Sequence, residues 1–350
     1  MKIAVLKGDC IGPEITVSAA ACVEAVSSKF GLGIVQEEHP VGFEALEKFG
    51  TTYPDETHAA CEKSDAIILG PVHNYAYPEH INPSAAVRKR FDLFANLRPA
   101  KTYPGVPCVG KPMDLVIARE NTEGFYADRN MFMGSGEFMP TPDVALAVRK
   151  ITAASCARIS QTAFELAQVR RRKVTIVTKA NVLKMSEGLF KREAEKVAAN
   201  FPDIEFDEVL IDAMAAMLVR DPGRFDVVLT TNMYGDILSD EAAELTGGLG
   251  LGGSINAGHE RAVAQAAHGA APDIAGQDKA NPTALVLSCA QLLEWLGARG
   301  SNNALIEAGA CIRGAVETAL SDPANRTADL GGKAGTKAYT AALVKAIKAA

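Results

Sequence analysis

The chain has 350 residues, of which 48% are hydrophobic and 22% are charged, and its net charge at pH 7 is −6. This length suits one large α/β domain or two closely packed ones, and the composition is that of a folded globule. The negative charge argues against a nucleic-acid-binding protein, because such proteins present a basic face to phosphates. Small anions are not excluded, since a site for them needs only a few local cations.

The sequence gives no sign of export or of membrane insertion. The first residues, MKIAVLKGDC, lead directly into a strand-like segment without the apolar stretch of a signal peptide. The most apolar runs, 227–231 and 284–289, are too short to span a bilayer. The seven cysteines are scattered and form no CxxC motif, which is typical of reduced thiols. We therefore expect a cytoplasmic enzyme without membrane or nucleic-acid partners.

Predicted strands and helices alternate along the chain. Short β-branched segments and amphipathic segments follow one another, which is the pattern of βαβ units and a largely parallel sheet. Strands are predicted at 2–6, 65–69, 115–118, 173–178 and 226–231. Helices are predicted at 14–30, 143–166, 183–200, 235–245, 283–297 and 302–320. The expected fold class is therefore α/β.

Two segments lack a clear periodicity. Residues 247–258 are rich in glycine and predict a tight crossing between substructures rather than a phosphate loop, because no lysine follows the glycines. Residues 130–142 carry several apolar side chains and allow two interpretations, a surface loop or an arm that packs on a partner subunit. Positions near Pro99 and Gly250 are natural places for the chain to cross between two halves.

Asp236 and Asp240 are candidates for a metal site. They lie four residues apart in MYGDILSDEAAEL, so a helix would place both carboxylates on one face, with Cβ atoms about 5–6 Å apart. A solvated helix face is the common alternative for such a pair. The pair, however, follows a buried-type strand, and ligand sites of α/β proteins form past the carboxyl ends of strands. Carboxylate oxygens suit Mg²⁺ or Mn²⁺ rather than zinc.

Three arginines and two proton-handling groups are further candidates. Arg88, Arg98 and Arg119 could together bind a di- or tricarboxylate through bidentate contacts, although each taken singly could be a surface residue. Lys179 follows a predicted strand and could accept a proton if it were desolvated, and Tyr126 could donate one. The alternatives are a lysine that extends along the surface and a half-buried tyrosine.

The sequence does not indicate a conventional Rossmann site. No GxGxxG motif follows the first strand, where GDCIGPE stands instead. The later segment AAHGAAPDIAGQDKANPT has the composition of a loop. Its Asp273 could accept hydrogen bonds from a ribose diol, and this acid would repel a 2′-phosphate.

Seven motifs follow one another along the chain; they are LKGDCIGPEI, AAVRKRFDLFANLRPAK, RENTEGFY, KANVLK, IDAMAAML, NMYGDILSDEAAEL and HGAAPDIAGQDKANPT. Their order resembles that of the β-decarboxylating dehydrogenases, the family of isocitrate, homoisocitrate, isopropylmalate and tartrate dehydrogenases. The chain resembles this family over essentially its whole length. The resemblance implies an isocitrate/isopropylmalate dehydrogenase-like fold, with two α/β domains around a large mixed sheet. Residues 1–99 and 250–350 would form the cofactor-side domain, and 100–249 the substrate and dimerisation domain.

The resemblance also implies an NAD-dependent reaction in which Mg²⁺ or Mn²⁺ assists the oxidation and decarboxylation of a 3-substituted (2R)-malate. Lys179 would accept the hydroxyl proton and Tyr126 would help to protonate the product. Asp236 and Asp240 would hold the cation together with Asp212 of the dimer partner, so that the site would exist only in the homodimer. The implied substrate contacts are Asn82, Ser84, Arg88, Arg98, Arg119, Asn181 and Val182. The implied cofactor contacts are Ile11, Gly70, His268, Gly269, Asp273, Ile274 and Asn281.

The substrate is less narrowly defined. In the family the residues just before Arg88 contact the C3 substituent, and here they include Asn82 and Ser84 rather than the leucines of isopropylmalate enzymes. A polar lining favours a hydrogen-bonding substituent, because a buried unpaired amide costs about 1–3 kcal/mol. We therefore favour isocitrate or homoisocitrate, with isopropylmalate, tartrate and D-malate as alternatives. A non-catalytic regulatory subunit is the remaining alternative, and it should lack a metal ligand or a proton-handling group.

Two residues depart from the family pattern. Cys10 stands where glycine is usual, which would alter the turn on the cofactor side. Gln265 stands where glutamate is frequent, and we expect it near the adenosine loop, with an effect on NAD affinity.

Overall fold

A computed structural model describes residues 1–126, 131, 133 and 136–350 of the protein. The strands are β1 (Lys2–Leu6), β2 (Val35–Glu38), β3 (Ala66–Leu69), β4 (Ala95–Lys101), β5 (Asp114–Glu120), β6 (Glu137–Thr141), β7 (Val144–Ala147), β8 (Lys173–Thr178), β9 (Glu205–Leu210), β10 (Val227–Thr230), β11 (Ile255–Ala257) and β12 (Ala262–Gln265). The helices are α1 (Gly12–Phe30), α2 (Phe43–Phe49), α3 (Asp55–Glu62), α4 (Pro83–Arg90), α5 (Ala153–Gln168), α6 (Ser186–Ala198), α7 (Ile211–Arg220), α8 (Asn232–Leu245), α9 (Thr283–Gly300), α10 (Asn303–Ser321) and α11 (Thr336–Ala349).

Ten of these strands form one mixed sheet in the order β2-β1-β3-β12-β11-β4-β5-β10-β8-β9. β2, β1, β3 and β12 are parallel to one another, and β5, β10, β8 and β9 form a second parallel group. β11 and β4 join the groups through antiparallel pairs, so the two groups point in opposite directions. The predicted α/β class and large mixed sheet are therefore confirmed. The division into two domains stays a prediction.

The two faces of the sheet are packed differently. On one face, the side chains of the central strands join the helices α1, α5, α9 and α10 in one continuous apolar core. On the other face, one apolar cluster lies under α7 and α8, and a separate cluster lies under α3 and α4. Because side chains alternate along a strand, five buried polar residues of β4, β5, β11 and β12 point to this second face. A polar belt thus separates its two clusters; the belt consists of Asn96, Arg98, Arg119, Asn256 and Gln265.

Most predicted elements are present, and one helix starts later than expected. The strands predicted at 2–6 and 173–178 are confirmed residue for residue. The helix predicted at 143–166 is wrong in its first part, since residues 144–147 form β7. The helix α5 starts at Ala153, where Thr152 caps it by accepting a hydrogen bond from the Ser155 N–H (3.3 Å). In the described part of the chain, no helix is long and apolar enough to cross a membrane.

Among the residues that the structure describes, β6 and β7 pair only with each other and form an antiparallel hairpin apart from the main sheet. Every residue of both strands is exposed, including the apolar Phe138, Met139, Val144 and Leu146. A two-stranded hairpin is only marginally stable in water, and clustered exposed apolar side chains mark interaction surfaces. Residues 137–141 of the segment 130–142 belong to this hairpin, and part of the segment lies outside the described residues. The arm that packs on a partner subunit stays a prediction.

Candidate active site

The candidate catalytic residues follow neighbouring strands of the second parallel group. Arg119 lies at the end of β5, and Asp236 lies in α8, which follows β10. Lys179 directly follows β8, and Asp212 lies in the first turn of α7 after β9. Parallel strands bring all these positions to one edge of the sheet. β5 and β9 are nevertheless three strand spacings apart, which is about 14 Å at the usual strand separation.

The first cluster is centred on Asp236. Arg119 forms an ion pair and hydrogen bond with its Oδ1, and Arg98 Nη2 lies 3.2 Å from the same oxygen. Tyr126 donates its hydroxyl proton to Oδ2 of Asp236 (2.7 Å), and Arg98 Nη1 lies 3.1 Å from Oδ1 of Asp240. The structure thus brings two of the three predicted substrate arginines together with two predicted metal ligands and the predicted proton donor.

The two carboxyl groups differ in their electrostatic surroundings. Burial alone would raise the pKa of Asp236, but the charges of Arg119 and Arg98 outweigh it and hold the pKa below its usual value. For Asp240, burial dominates and the nearby Asp236 adds to it, so its pKa is raised despite Arg98. A divalent cation between them would favour the ionised form of both, because it would add to the positive charge that Arg98 already brings to Asp240.

The helix α8 positions both arginines. Asn232 Oδ1 accepts hydrogen bonds from Nε (3.0 Å) and Nη2 (2.6 Å) of Arg119, and Ser239 Oγ accepts one from Arg98 Nη1 (2.7 Å). Gly235 lies directly against the side chain of Arg119, and a Cβ there would lie 2.6 Å from its Cγ. Glycine is therefore required at 235 for the arginine to lie under the helix. Sequence analysis missed these supporting residues, because only the packing of α8 on β5 reveals their role.

The third arginine, Arg88, belongs to a closed ring of hydrogen bonds. Arg88 Nη2 donates to Gln265 Oε1 (3.1 Å), and Asn256 Nδ2 donates to the same oxygen (3.3 Å). Asn121 Nδ2 donates to Asn256 Oδ1 (3.0 Å), and Arg88 Nη1 approaches Asn121 Oδ1 at 3.5 Å. Ser84 joins the ring through Gln265. The ring fixes the position of Arg88 at the border between the two halves of the sheet.

Asn82 has a structural role. Its Oδ1 accepts a hydrogen bond from the Ala85 N–H (3.2 Å) and caps α4, in which Pro83 is the first residue. Asparagine before proline is a typical helix start, and this signal was present in the sequence. The Asn82 amide oxygen thus has a partner within the chain, which weakens the argument that it needs one from the substrate. Ser84, by contrast, contacts Gln265 in the ring of hydrogen bonds around Arg88.

The second cluster is Lys179 with Asp212. Lys179 Nζ donates to Asp212 Oδ1 (2.6 Å), and this hydrogen bond holds the pKa of Asp212 below its usual value. The side chain of Asp212 is 66% exposed, and Asn181 and Val182 beside Lys179 are exposed as well. Among the residues that the structure describes, no three His, Cys, Asp or Glu side chains converge to hold a metal ion. Within one chain, Asp212 therefore does not complete the pair Asp236 and Asp240.

Five of the seven predicted cofactor residues line one cleft of about 460 Å³; they are Ile11, His268, Gly269, Ile274 and Asn281. Burial lowers the pKa of His268, so its imidazole is neutral at pH 7. Its Nδ1 lies 2.9 Å from the Gly269 carbonyl oxygen, and its Nε2 is buried without a hydrogen-bond partner among the described residues.

The other two predicted cofactor residues, Asp273 and Gly70, lie outside the lining of this cleft. Asp273 is exposed in the turn Pro272–Ile274 beside it. Gly70 packs against the backbone of Lys7, where a Cβ would lie 2.0 Å from the carbonyl oxygen. Close backbone packing thus accounts for glycine at 70.

Comparisons with known proteins identify relatives of this chain in sequence and in structure. The sequence model for isocitrate/isopropylmalate dehydrogenase matches residues 2–347. This chain belongs to that family. It is 40% identical to the 3-isopropylmalate dehydrogenase of Archaeoglobus fulgidus over 97% of both chains. It is also 40% identical to the isocitrate/homoisocitrate dehydrogenase of Thermus thermophilus, over 99% of this chain and 98% of that protein.

Solved structures give the same result. The crystal structure of isocitrate dehydrogenase from Methylococcus capsulatus matches with a TM-score of 0.89 and 36% sequence identity, over 99% of both chains. The predicted family, the fold class and the assignment to the decarboxylating dehydrogenases are confirmed.

The two departures from the family pattern have structural consequences. Cys10 has φ +54°, a left-handed conformation that glycine adopts without steric cost, so cysteine is strained at this turn. Gln265 does not lie in the adenosine loop as expected. It lies at the end of β12 beside Arg88 and Ser84, because the alternation along β12 turns it to the face of the polar belt. The expected location of the Gln265 side chain, near the adenosine loop, was therefore wrong.

Proposed function

We propose that this protein is an NAD- and divalent-metal-dependent dehydrogenase that oxidises and decarboxylates a 3-substituted (2R)-malate of the isocitrate or homoisocitrate type. The observation that carries the proposal is the convergence of Arg98 and Arg119 on Asp236, with the Tyr126 hydroxyl on the same carboxylate. This places anion-binding groups, hard oxygen ligands and a proton donor within one cluster. Substrate carboxylates would exchange for the carboxylates that now pair with the guanidinium groups.

Asp236 and Asp240 are suited to hold Mg²⁺ or Mn²⁺, because both offer hard oxygens from one helix face. When bound, such a cation polarises the C2 hydroxyl of the substrate and favours its oxidation. Arg88, Arg98 and Arg119 would bind and orient the carboxylates. Lys179 would accept the hydroxyl proton at Nζ, and Tyr126 would donate a proton from its hydroxyl to the product carbon.

The active site is proposed to form between two copies of the chain. Lys179 follows β8 and Asp212 follows β9, two and three strand positions from β5, and the side chain of Asp212 is exposed, so a second copy would supply them. Two apolar residues that follow Lys179 in the sequence are exposed, Val182 (65%) and Met185 (90%). Burying such side chains favours association by roughly 25 cal/mol for each Å² removed from water. The exposed hairpin of β6 and β7 would add to the same homodimer.

The cleft around His268 is proposed as the NAD site. Its lining includes Ile11 and Ile274, which suit an adenine ring, and His268 offers the unpaired Nε2 to a hydrogen-bond donor. The exposed carboxylate of Asp273 stands beside this cleft and would repel the 2′-phosphate of NADP.

We therefore expect the double substitution Asp273→Lys with Ile274→Tyr to shift the preference from NAD toward NADP. A lysine would replace repulsion by a charged hydrogen bond, which is worth about 2 kcal/mol or about 30-fold in kcat/KM. Steady-state kinetics with both cofactors measure the ratio. Asp203→Lys, the same charge change at an exposed position, is the control. An unchanged ratio would mean that the ribose is recognised elsewhere.

The isocitrate or homoisocitrate type is favoured by the polar ring around Arg88 and Ser84. 3-Isopropylmalate is the second candidate, because relatives of that name are as similar in sequence as the isocitrate/homoisocitrate dehydrogenase. The deciding experiment is a steady-state screen of isocitrate, homoisocitrate, 3-isopropylmalate, tartrate and D-malate, with NAD and NADP and with Mg²⁺ or Mn²⁺. Metal-dependent NADH formation supports the proposal, and no turnover with any of these acids would point to the regulatory subunit instead.

A further inference from the structure

A buried ion pair lies next to the segment that carries Lys179. The side chain of Glu187 is 0% exposed and that of Arg149 is 8% exposed. Arg149 Nη2 forms an ion pair and hydrogen bond with Oε1 of Glu187. Replacing a buried ion pair by apolar residues is often neutral or stabilising, so stability alone does not explain this pair.

The second oxygen of Glu187 holds the peptide group of Lys179. Its Oε2 accepts a hydrogen bond from the Lys179 N–H (3.0 Å). The Lys179 carbonyl oxygen accepts hydrogen bonds from the N–H groups of Val182 (3.0 Å) and Leu183 (2.8 Å). The Leu183 carbonyl oxygen in turn accepts one from the Glu187 N–H (3.0 Å). These bonds close a compact turn between β8 and α6, and the Glu187 carboxylate fixes its first residue.

Arg149 fixes the Glu187 carboxylate from the other side. Its Nη2 also donates to Thr231 Oγ1 (3.1 Å), directly before α8. The guanidinium group lies 5.5 Å from the ring centre of Phe125 and 5.3 Å from that of Tyr234. Rings on which a guanidinium group stacks restrict its orientation. The carboxylate that pairs with it is therefore held in one place.

We infer that Glu187 is a positioning residue for Lys179. The side chain of Lys179 is a flexible stem of four carbons, and its Nζ donates a hydrogen bond to the exposed Asp212. The fixed peptide group therefore sets where Nζ can reach in the site of a second copy. This inference rests on the proposed function, because it assumes that Lys179 accepts the hydroxyl proton there.

Glutamine at 187 would disturb the Lys179 peptide while keeping the size and shape of the side chain. A guanidinium group carries only donors, so the single amide oxygen would face Arg149. The amide nitrogen would then face the Lys179 N–H, and two donors would meet. The peptide would have to move, and a displacement of about 1 Å can cost about 100-fold in rate.

The test is Glu187→Gln, assayed with an acid that the unmodified enzyme oxidises. We expect kcat to fall about 30- to 100-fold, while KM for the acid and for NAD changes less than about 3-fold, because the arginine cluster and the cofactor cleft are untouched. The matched control is Glu195→Gln, the same charge change at an exposed position of α6, which should keep the native kcat. An unchanged kcat, or a loss through KM alone, would overturn the inference.

Mixed dimers distinguish this role from an effect on the site within the same chain. Arg149 contacts the neighbours of Tyr126 and Asp236, so Glu187→Gln could instead act on the site that these residues form. In the proposed dimer, however, Lys179 serves the site of the other copy. Glu187→Gln should therefore regain about a quarter of the native activity with Asp236→Asn, given random pairing, and none with Lys179→Met. The reverse pattern would reject the assignment of Glu187 to Lys179.

Hydrogen exchange tests the positioning without any turnover. Loss of the bond from the Lys179 N–H should speed the exchange of this amide about 10-fold or more in Glu187→Gln, measured by NMR, and leave it unchanged in Glu195→Gln. If the unmodified enzyme oxidises none of the acids, or if Lys179→Met and Asp236→Asn do not complement each other, the proposed function fails separately. Unchanged exchange in Glu187→Gln overturns the inference in either case.

A second variant covers the case in which Glu187→Gln does not fold. Glu187→Asp keeps the negative charge beside Arg149, but its side chain is one methylene shorter and cannot reach both partners. We expect the same fall in kcat, the same complementation pattern and the same faster exchange at Lys179. A native kcat together with native exchange in this variant would contradict the positioning role.

Discussion

The variant Lys179→Met is expected to abolish measurable turnover while leaving NAD binding and the dimer intact. Methionine fills a similar volume but cannot accept the hydroxyl proton, and removal of a general base costs about 10²- to 10⁴-fold in kcat. The native hydrogen bond from Lys179 to Asp212 is exposed, so its loss should hardly affect folding. Steady-state kinetics, calorimetric titration with NAD and light scattering measure the three properties.

The control for this variant is Lys184→Met, five residues further along the same exposed segment. It removes the same charge and should retain the activity of the unmodified enzyme. If Lys179→Met kept more than about a tenth of the native kcat, the assigned proton transfer would be rejected, since a tenfold effect is below that of a general base.

Activity should return when two inactive variants are combined in one dimer. Lys179→Met and Asp236→Asn each inactivate both sites of a homodimer. A mixed dimer keeps one site with Asp236 from one chain and Lys179 from the other. With random pairing, half of the dimers are mixed and have one intact site of two, so about a quarter of the native activity should return.

The chain offers a matched control for this experiment. Lys179 and Asp212 lie on the same side of the proposed interface, so co-expression of Lys179→Met with Asp212→Asn should restore no activity. Recovery in the first combination and none in the second would support a site shared between two copies. No recovery in the first combination, with mixed dimers demonstrated by differently tagged chains, would contradict the shared site.

The location of Gln265 illustrates a limit of motif matching. From the resemblance we expected it near the adenosine loop, and in sequence it lies three residues before His268. The side-chain alternation of β12 directs it to the face of the sheet on which Arg88 lies, whereas His268 lies past the strand end in the cleft that we propose for NAD. Neighbours in sequence thus have different surroundings, because a strand end separates them.

The sequence by itself determined the local features. Asp236 and Asp240 had to share a helix face once a helix was predicted there, and β1 and β8 followed from short β-branched segments. These features depend on periods of 2 and 3.6 residues, which are visible within a short window. The late start of α5 escaped this reasoning, because pairing of Val144 with β6 overrode the local helical pattern.

Only the tertiary structure decided which residues meet. In the sheet, Asn96 of β4 lies opposite Arg119 of β5 on one side and opposite Asn256 of β11 on the other. The polar belt therefore depends on the register of three strands that do not all follow one another in the sequence. The separation of Lys179 and Asp212 from Asp236 likewise follows from the strand order, which no local pattern contains. Register and strand order are determined by how the apolar faces pack together, and that is a property of the whole chain.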